Sequence, residues 1–122
     1  MKTLGEPLGQ IESKFADMIW DHEPIPSGEL VKLCAEELNW KKSTTFSVLK
    51  KFCERGLFQN QKAVVTSLVS REEFKLLQSK QFLEHTYSGS LPQLFAAFVS
   101  NQSLSEEEAR EIQEMINRRF GD

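Results

Sequence analysis

The stretch that decides the fold reads Trp40-Lys41-Lys42-Ser43-Thr44-Thr45-Phe46-Ser47-Val48-Leu49-Lys50-Lys51-Phe52-Cys53-Glu54-Arg55-Gly56-Leu57. Within it, apolar and small residues recur at intervals of three or four, at Thr45, Val48, Leu49, Phe52 and Cys53. This spacing places them on one side of an α-helix. The stretch therefore predicts an amphipathic helix that turns this side inward and ends at Gly56.

The other side of the predicted helix carries lysines and hydroxyls. Lysines meet DNA phosphates, and small hydroxyls hydrogen-bond to base edges. We therefore predict DNA contacts from its outward residues and its start: Lys41, Lys42, Ser43, Thr44, Phe46, Ser47, Lys50 and Lys51. An ordinary solvated helix face is the alternative. Phe46 also has two interpretations, a contact with a thymine methyl group or a structural contact within the protein or with a partner.

Two short runs after Gly56 predict a β-hairpin. Residues 57–62 and 63–69 are brief, the second run is rich in β-branched residues, and only Lys62 separates Gln61 from Ala63. We include Lys62 among the predicted DNA contacts because it would lie at the tip of this wing. The wing is short, which argues against its contact with the minor groove or with phosphates.

Two further helices are predicted before the basic one. Apolar residues repeat between Ile11 and Trp20, and the segment Pro24-Ile25-Pro26 then breaks the helix. Ser27 is expected to cap a second helix that ends before Asn39. The predicted fold is mainly α with a small β-hairpin: a winged helix-turn-helix DNA-binding domain over residues 1–70.

Residues 71–122 predict a helical dimerisation region. Three amphipathic segments follow one another, the first from about Arg71 to His85 with Phe74 and Leu77 on its apolar face, and the last opened by a capping box of Ser105 and Glu108. Short helices with so much apolar surface are best buried against a second copy, although folding back onto their own domain is the alternative. The predicted dimer residues are Phe82, Leu83, Leu91, Leu94, Phe95, Phe98, Val99, Ile112, Met115, Ile116 and Phe120.

Charge is segregated along the chain. The net charge of the 122 residues is −3, which by itself argues against a nucleic-acid partner. Residues 41–62, however, hold six basic residues against one acidic residue, whereas residues 81–122 hold three against seven. The basic segment can thus bind a polyanion while the acidic segment stays clear of it.

Three parts of the chain follow a family pattern. They are Glu12 with residues 18–20, the stretch from Trp40 to Leu57 with its Arg55-Gly56-Leu57 end, and a tail with Phe82-Leu83, Gly89-Ser90-Leu91, Phe98 and Leu104-Ser105-Glu106-Glu107-Glu108. This pattern gives the chain a resemblance to the penicillinase-repressor family of bacterial winged-helix regulators over nearly its whole length. It implies a homodimeric repressor that binds palindromic double-stranded operator DNA.

The resemblance also implies regulation by a sensor-linked protease, which cuts some members at an Asn-Phe bond in the dimerisation tail. The matching bond here is Ala97-Phe98. Because Asn is absent, we expect that this chain is not cleaved there.

The sequence shows little sign of metal binding, cofactor binding or catalysis. Cys34 and Cys53 fall on apolar helix faces and are expected to be core thiols in a reducing cytoplasm. His22 and His85 are isolated, so we predict no metal site and no cofactor. We find no catalytic motif, signal peptide or membrane-spanning run, and expect a cytoplasmic protein that is not an enzyme. The alternative function is a winged-helix module for protein–protein contact with weak or no specific DNA binding.

Overall fold

The computed structural model describes residues 4–121, which form six helices and a three-stranded antiparallel sheet. The elements in chain order are α1 (Gln10–His22), β1 (Ile25–Pro26), α2 (Ser27–Leu38), α3 (Lys42–Glu54), β2 (Phe58–Gln61), β3 (Val64–Ser67), α4 (Arg71–Tyr87), α5 (Leu91–Ser100) and α6 (Glu106–Phe120). The predicted fold class is confirmed: a winged helix-turn-helix followed by C-terminal helices.

The hairpin has a third strand beside it. β1 pairs with β3 in the order β1-β3-β2, with Ile25 opposite Val65. The sequence had indicated only a break between helices in this segment. The expected cap at Ser27 was wrong, because Pro26 takes the N-cap position and no side-chain cap bond forms. The backbone N–H of Ser27 donates instead to the carbonyl oxygen of Ala63 at 2.8 Å, which extends the sheet contact to the wing tip.

Aromatic rings link the helices to the wing in the core. The Phe52 ring of α3 lies 5.4 Å from the ring of Phe15 and 5.8 Å from the ring of Phe58. Trp20 contacts Phe58 at 5.3 Å, and its indole N–H donates to the carbonyl oxygen of Val69 at 2.9 Å. Buried aromatic pairs add about 0.5–1.5 kcal/mol each beyond the area that they bury. α3 is therefore anchored on both α1 and the wing.

The chain divides into two compact units, one ending at Gln81 and the other beginning at Phe82. The boundary falls within α4. Phe74 is buried beside Trp20, with 5.8 Å between the ring centres, so it belongs to the core of the first unit and not to an apolar face of the tail as expected. Arg71 secures the same end of α4, because its guanidinium bonds to the carboxylates of Asp17 and Asp21.

The second unit contains the end of α4 and the whole of α5 and α6. The hydroxyl of Ser90 caps α5. The predicted capping box at the start of α6 is confirmed, since the backbone N–H of Glu108 donates to the Ser105 hydroxyl and the N–H of Ser105 donates to the Glu108 carboxylate. No residue described between 82 and 121 is fully buried. Taken by itself, this unit has no core shielded from water.

Candidate nucleic-acid interface

The inward side of α3 is as predicted. Thr45, Leu49 and Phe52 are at most 2% exposed, and Val48 and Cys53 are half-buried. The hydroxyl of Thr45 donates to the carbonyl oxygen of Lys41 at 3.3 Å. Packing on this side determines which residues the helix presents to solvent.

The outward side is a row of lysines and hydroxyls. The exposed members are Lys41, Lys42, Ser43, Thr44, Ser47, Lys50 and Lys51. Phe46 differs, because its ring is half-buried and packs against the core cluster. Of its two interpretations, the structural contact within the protein agrees with this placement. The exposed set defines a candidate DNA-binding surface, and its contacts with DNA stay a prediction.

The N-terminus of α3 lacks a side-chain cap. Lys41 is the N-cap residue, and its side chain accepts no hydrogen bond from the first turn. The backbone N–H groups at a helix start carry partial positive charge and favour an anion there. A phosphate group would supply this anion, with Lys41 and Lys42 close by in sequence.

The wing ends in a tight two-residue turn. Lys62 and Ala63 have φ angles of 53° and 61°, and their positive signs are those of the hairpin turns that follow the twist of the strands. Lys62 is exposed at the tip. The strands on either side are four residues long, so the wing is short, as the sequence indicated. Lys62 is the one basic side chain between Phe58 and Ser67.

Arg55 does not join the exposed lysines. Its side chain is half-buried, and its guanidinium donates to backbone carbonyl oxygens near the N-terminus of the chain. Of the six basic residues between positions 41 and 62, the five lysines are exposed and Arg55 is turned inward. Charge counting by segment could not separate the two groups, because only packing shows where the guanidinium lies.

The cysteines lie on the inner sides of their helices. Cys34 is buried and Cys53 is half-buried, and both are free thiols. Burial raises the pKa of the Cys34 thiol, an effect that a hydrogen bond with Thr45 partly offsets, and burial likewise raises the pKa of Cys53. A raised pKa keeps a thiol protonated and unreactive near neutral pH.

The helices of the second unit expose a set of large apolar side chains. The exposed predicted dimer residues are Phe82, Leu91, Phe98, Val99, Met115, Ile116 and Phe120, while Leu83, Leu94, Phe95 and Ile112 are half-buried. A groove of about 270 Å³ opens beside α5 and α6, with Phe95, Phe98 and Ile112 among its lining residues. Apolar side chains gathered around such a groove are typical of a protein–protein contact. Ala97 is also exposed, within α5.

Residues 4–121 contain neither a metal-binding cluster nor a membrane-spanning helix. No group of three histidine, cysteine or acidic side chains there is placed to hold a metal ion. None of the helices formed by these residues is long and apolar enough to cross a membrane.

The helix-turn-helix, the wing and the exposed basic row of α3 define a winged-helix protein with a candidate DNA-binding surface. The sequence profile of the family described as Penicillinase repressor matches residues 8–118. The chain belongs to this family, which confirms the resemblance seen in the sequence.

Relatives with established names match almost end to end. The Penicillinase repressor of Bacillus licheniformis is 24% identical over 120 residues, which cover 95% of this chain and 93% of the relative. The Methicillin resistance regulatory protein MecI of Staphylococcus aureus (strain Mu50) is 22% identical over 116 residues, covering 92% of this chain and 94% of that protein. MecI of Mammaliicoccus sciuri is 21% identical over the same length.

Proposed function

We propose that this protein is a homodimeric transcriptional repressor that binds palindromic double-stranded operator DNA through α3. The observation that carries the proposal is the outward side of α3. There, three exposed hydroxyls lie between two pairs of exposed lysines, while Phe52 and Leu49 on the inward side are buried in the core. A reading helix needs both features, because its orientation must be fixed before its side chains can select bases.

Homodimerisation is supported by the surface of the second unit. Phe98 is 47% exposed and Ile116 is 46% exposed, and no described residue of this unit is buried. Association through these helices would remove this apolar surface from water at a gain of about 25 cal/mol per Å². A two-fold dimer presents two copies of α3, and its symmetry matches the two halves of a palindrome.

We also infer a cytoplasmic location, because operator DNA lies in the bacterial cytoplasm. The family resemblance includes a sensor-linked protease, but Ala97-Phe98 is not an Asn-Phe bond. We therefore infer release by another signal or by a protease of different specificity.

A footprint on the DNA upstream of the protein's own gene tests the function. We expect a protected palindrome, and we expect its affinity to fall steeply with added salt because bound lysines release counterions from phosphates. A scrambled duplex of equal length and composition is the control. Equal affinity for both duplexes would exclude an operator-specific repressor and favour the alternative, a winged-helix module for protein contact.

A further inference from the structure

The C-terminal end of α3 holds the N-terminal segment of the chain. Arg55 follows the last residue of α3, and its Nη2 donates to the carbonyl oxygens of Leu4 at 3.1 Å and Glu6 at 2.8 Å. The guanidinium carbon lies 6.0 Å from the centre of the Phe52 ring. We call residues 4–6 the strap. Two hydrogen bonds from one charged group therefore tie the strap to the end of the reading helix.

The placement of Arg55 is costly in free energy. Its Nε and Nη1 are shielded from solvent, and neither donates to any of the residues that the structure describes. Burial lowers the pKa of Arg55, and the nearby charges of Glu12 and Glu6 partly offset this effect. Withdrawing a guanidinium from water is unfavourable unless its remaining contacts compensate. Its role is therefore better sought in what Nη2 holds than in a contact with a DNA phosphate.

The strap packs against α4 on its other side. A Cβ atom added to Gly5 would lie 3.0 Å from the carbonyl oxygen of Leu77 and 2.8 Å from the side-chain oxygen of Gln81. These distances leave no room for a methyl group beside the backbone of α4. Leu4 is half-buried against the core cluster. The strap thus lies between the end of α3 and the middle of α4.

We propose that Arg55 is a positioning residue for DNA recognition, which holds the strap between α3 and α4 and thereby fixes the reading helix. The inference rests on the proposed function and concerns the same surface. A preordered α3 loses less conformational freedom when it binds, so loosening the strap weakens specific binding although no DNA contact is removed. Because such coupling is reciprocal, bound operator in turn makes the strap harder to open.

Two full-length variants separate positioning from a phosphate contact. Arg55→Leu removes the tie, and Gly5→Ala pushes the strap away from α4 without changing any charge. Each is expected to weaken operator binding about fivefold or more, the lower end of ordinary coupling between sites, with an unchanged slope of log affinity against log salt. The double variant should lose little more than either single variant, because both open the same contact. In NMR spectra of each variant, the backbone amide at position 5 should move toward its random-coil shift.

Matched controls accompany these variants. Lys51→Leu removes an exposed charge from the same end of α3, and it should lower the salt slope by about one. Gly28→Ala is the glycine control, since a Cβ there meets nothing within 4 Å, and it should leave the strap resonances unchanged. Circular dichroism verifies that each variant folds. If Arg55→Leu does not fold, Gly5→Ala alone tests whether a loosened strap weakens operator binding.

Wild-type affinity in a folded Gly5→Ala variant with a displaced strap would overturn the proposal. So would a lower salt slope in Arg55→Leu, which would make Arg55 a phosphate contact. If the proposed repressor function itself is wrong, the result is different. The unaltered protein would then show no preference for any palindrome, whatever the state of the strap.

Discussion

Ser27 and Ala63 are joined by a backbone hydrogen bond of 2.8 Å, so the tip of the wing is tied to the first residue of α2. The bond extends the pairing of β1 with β3 beyond Pro26 and Val64. Consequently the tip half of β3 is held against β1 and the start of α2. Because the wing is short and held in this way, we expect base selection to depend on α3 rather than on the wing.

The wing turn predicts one stabilising substitution. Ala63 has a φ of 61°, which costs a residue with a Cβ about 1–2 kcal/mol. Glycine adopts this φ freely but loses more chain entropy, about 0.5–1 kcal/mol. We therefore expect Ala63→Gly to raise the free energy of unfolding by up to about 1 kcal/mol, measured by urea denaturation.

The reverse exchange at Gly56 is the control for the wing turn. Its φ is 85° and a Cβ would meet nothing within 4 Å, so any cost there is conformational. Gly56→Ala should lower the free energy of unfolding by up to about 1 kcal/mol, because the lower chain entropy of alanine offsets part of the strain. A destabilised Ala63→Gly protein would contradict the assignment of strain to the turn.

Substitutions on α3 should separate base reading from charge. Thr44→Ala or Ser47→Ala is expected to relax sequence preference by roughly 1–3 kcal/mol for each lost base contact. Lys50→Ala or Lys51→Ala should weaken all sequences alike and flatten the salt slope by about one. Both are measured by fluorescence anisotropy on operator and scrambled duplexes.

Lys14→Ala provides the charge-matched control for α3, because Lys14 lies on α1 and outside the candidate DNA-binding surface. It should leave sequence preference and affinity for operator DNA nearly unchanged. Unaltered binding by a variant with alanine at Ser43, Thr44, Ser47 and Lys51 would eliminate α3 as the reading helix.

The proposed dimer predicts that a charge placed on the tail separates the subunits. Phe98 and Ile116 are about half-exposed in one protomer, so Ile116→Glu should be tolerated by the isolated fold. In a two-fold interface, each of the two carboxylates would be buried without a partner at a cost of about 3 kcal/mol, which together weakens association roughly ten-thousandfold. Sedimentation velocity should then show a monomer, and operator affinity should fall. Gln93→Glu, a charge added at an exposed polar position of α5, should remain dimeric.

A capping box at the start of α4 predicts that the free energy of unfolding depends slightly on pH. The N–H of Ser70 donates to the Glu73 carboxylate at 3.1 Å, and the N–H of Glu73 donates to the Ser70 hydroxyl at 3.1 Å. The bonds from Ser70 lower the pKa of Glu73. A carboxyl with a lowered pKa stabilises the folded state above its unfolded pKa, and this contribution disappears as the pH falls through the folded pKa.

The measurement is thermal unfolding between about pH 3 and pH 6, the range around an ordinary glutamate pKa. Glu73→Ala should lose stability at neutral pH and show a shallower decline in acid. Glu72→Gln is the control, since Glu72 is exposed and bonds to Lys75 rather than to the helix start. The same acid decline in wild type and Glu73→Ala would contradict the role of this carboxylate.

Periodicity predicted α1, α2 and α3 well because each has one face buried against its neighbours. Thr45, Leu49 and Phe52 illustrate this, since their spacing alone placed them inward. The strand Ile25–Pro26 was missed because two residues cannot display an alternating pattern, and its existence depends on a partner distant in sequence. In the same way, the sequence counted Arg55 as a surface charge, whereas its contacts with residues 4 and 6 arise only in the folded chain.

The tail illustrates a second limit of sequence reasoning. Apolar spacing identified α5 and α6, but it also assigned Phe74 to the tail face, although that ring fills the core beside Trp20. One helix can serve two units, and periodicity does not reveal where the change occurs. The DNA-binding and dimerisation surfaces that the sequence predicts stay predictions, and experiments must test them.

The bond between Ala97 and Phe98 in α5 is expected to resist proteolysis. Sequence-specific cleavage needs both a recognised residue pair and an extended, accessible backbone. Here the residue before Phe98 is alanine, and the bond lies inside a helix that the proposed dimer would cover. A protease could reach it only after local opening.

We therefore expect that exposing the native host to a cell-wall antibiotic produces no fragment ending at Ala97, as followed by mass spectrometry. An Ala97→Asn variant, which restores the Asn-Phe pair, distinguishes the two barriers: cleavage of this variant alone would assign resistance to the residue pair, whereas an intact variant would assign it to the helix. A fragment ending at Ala97 from the unaltered protein would show that proteolysis acts on this repressor after all.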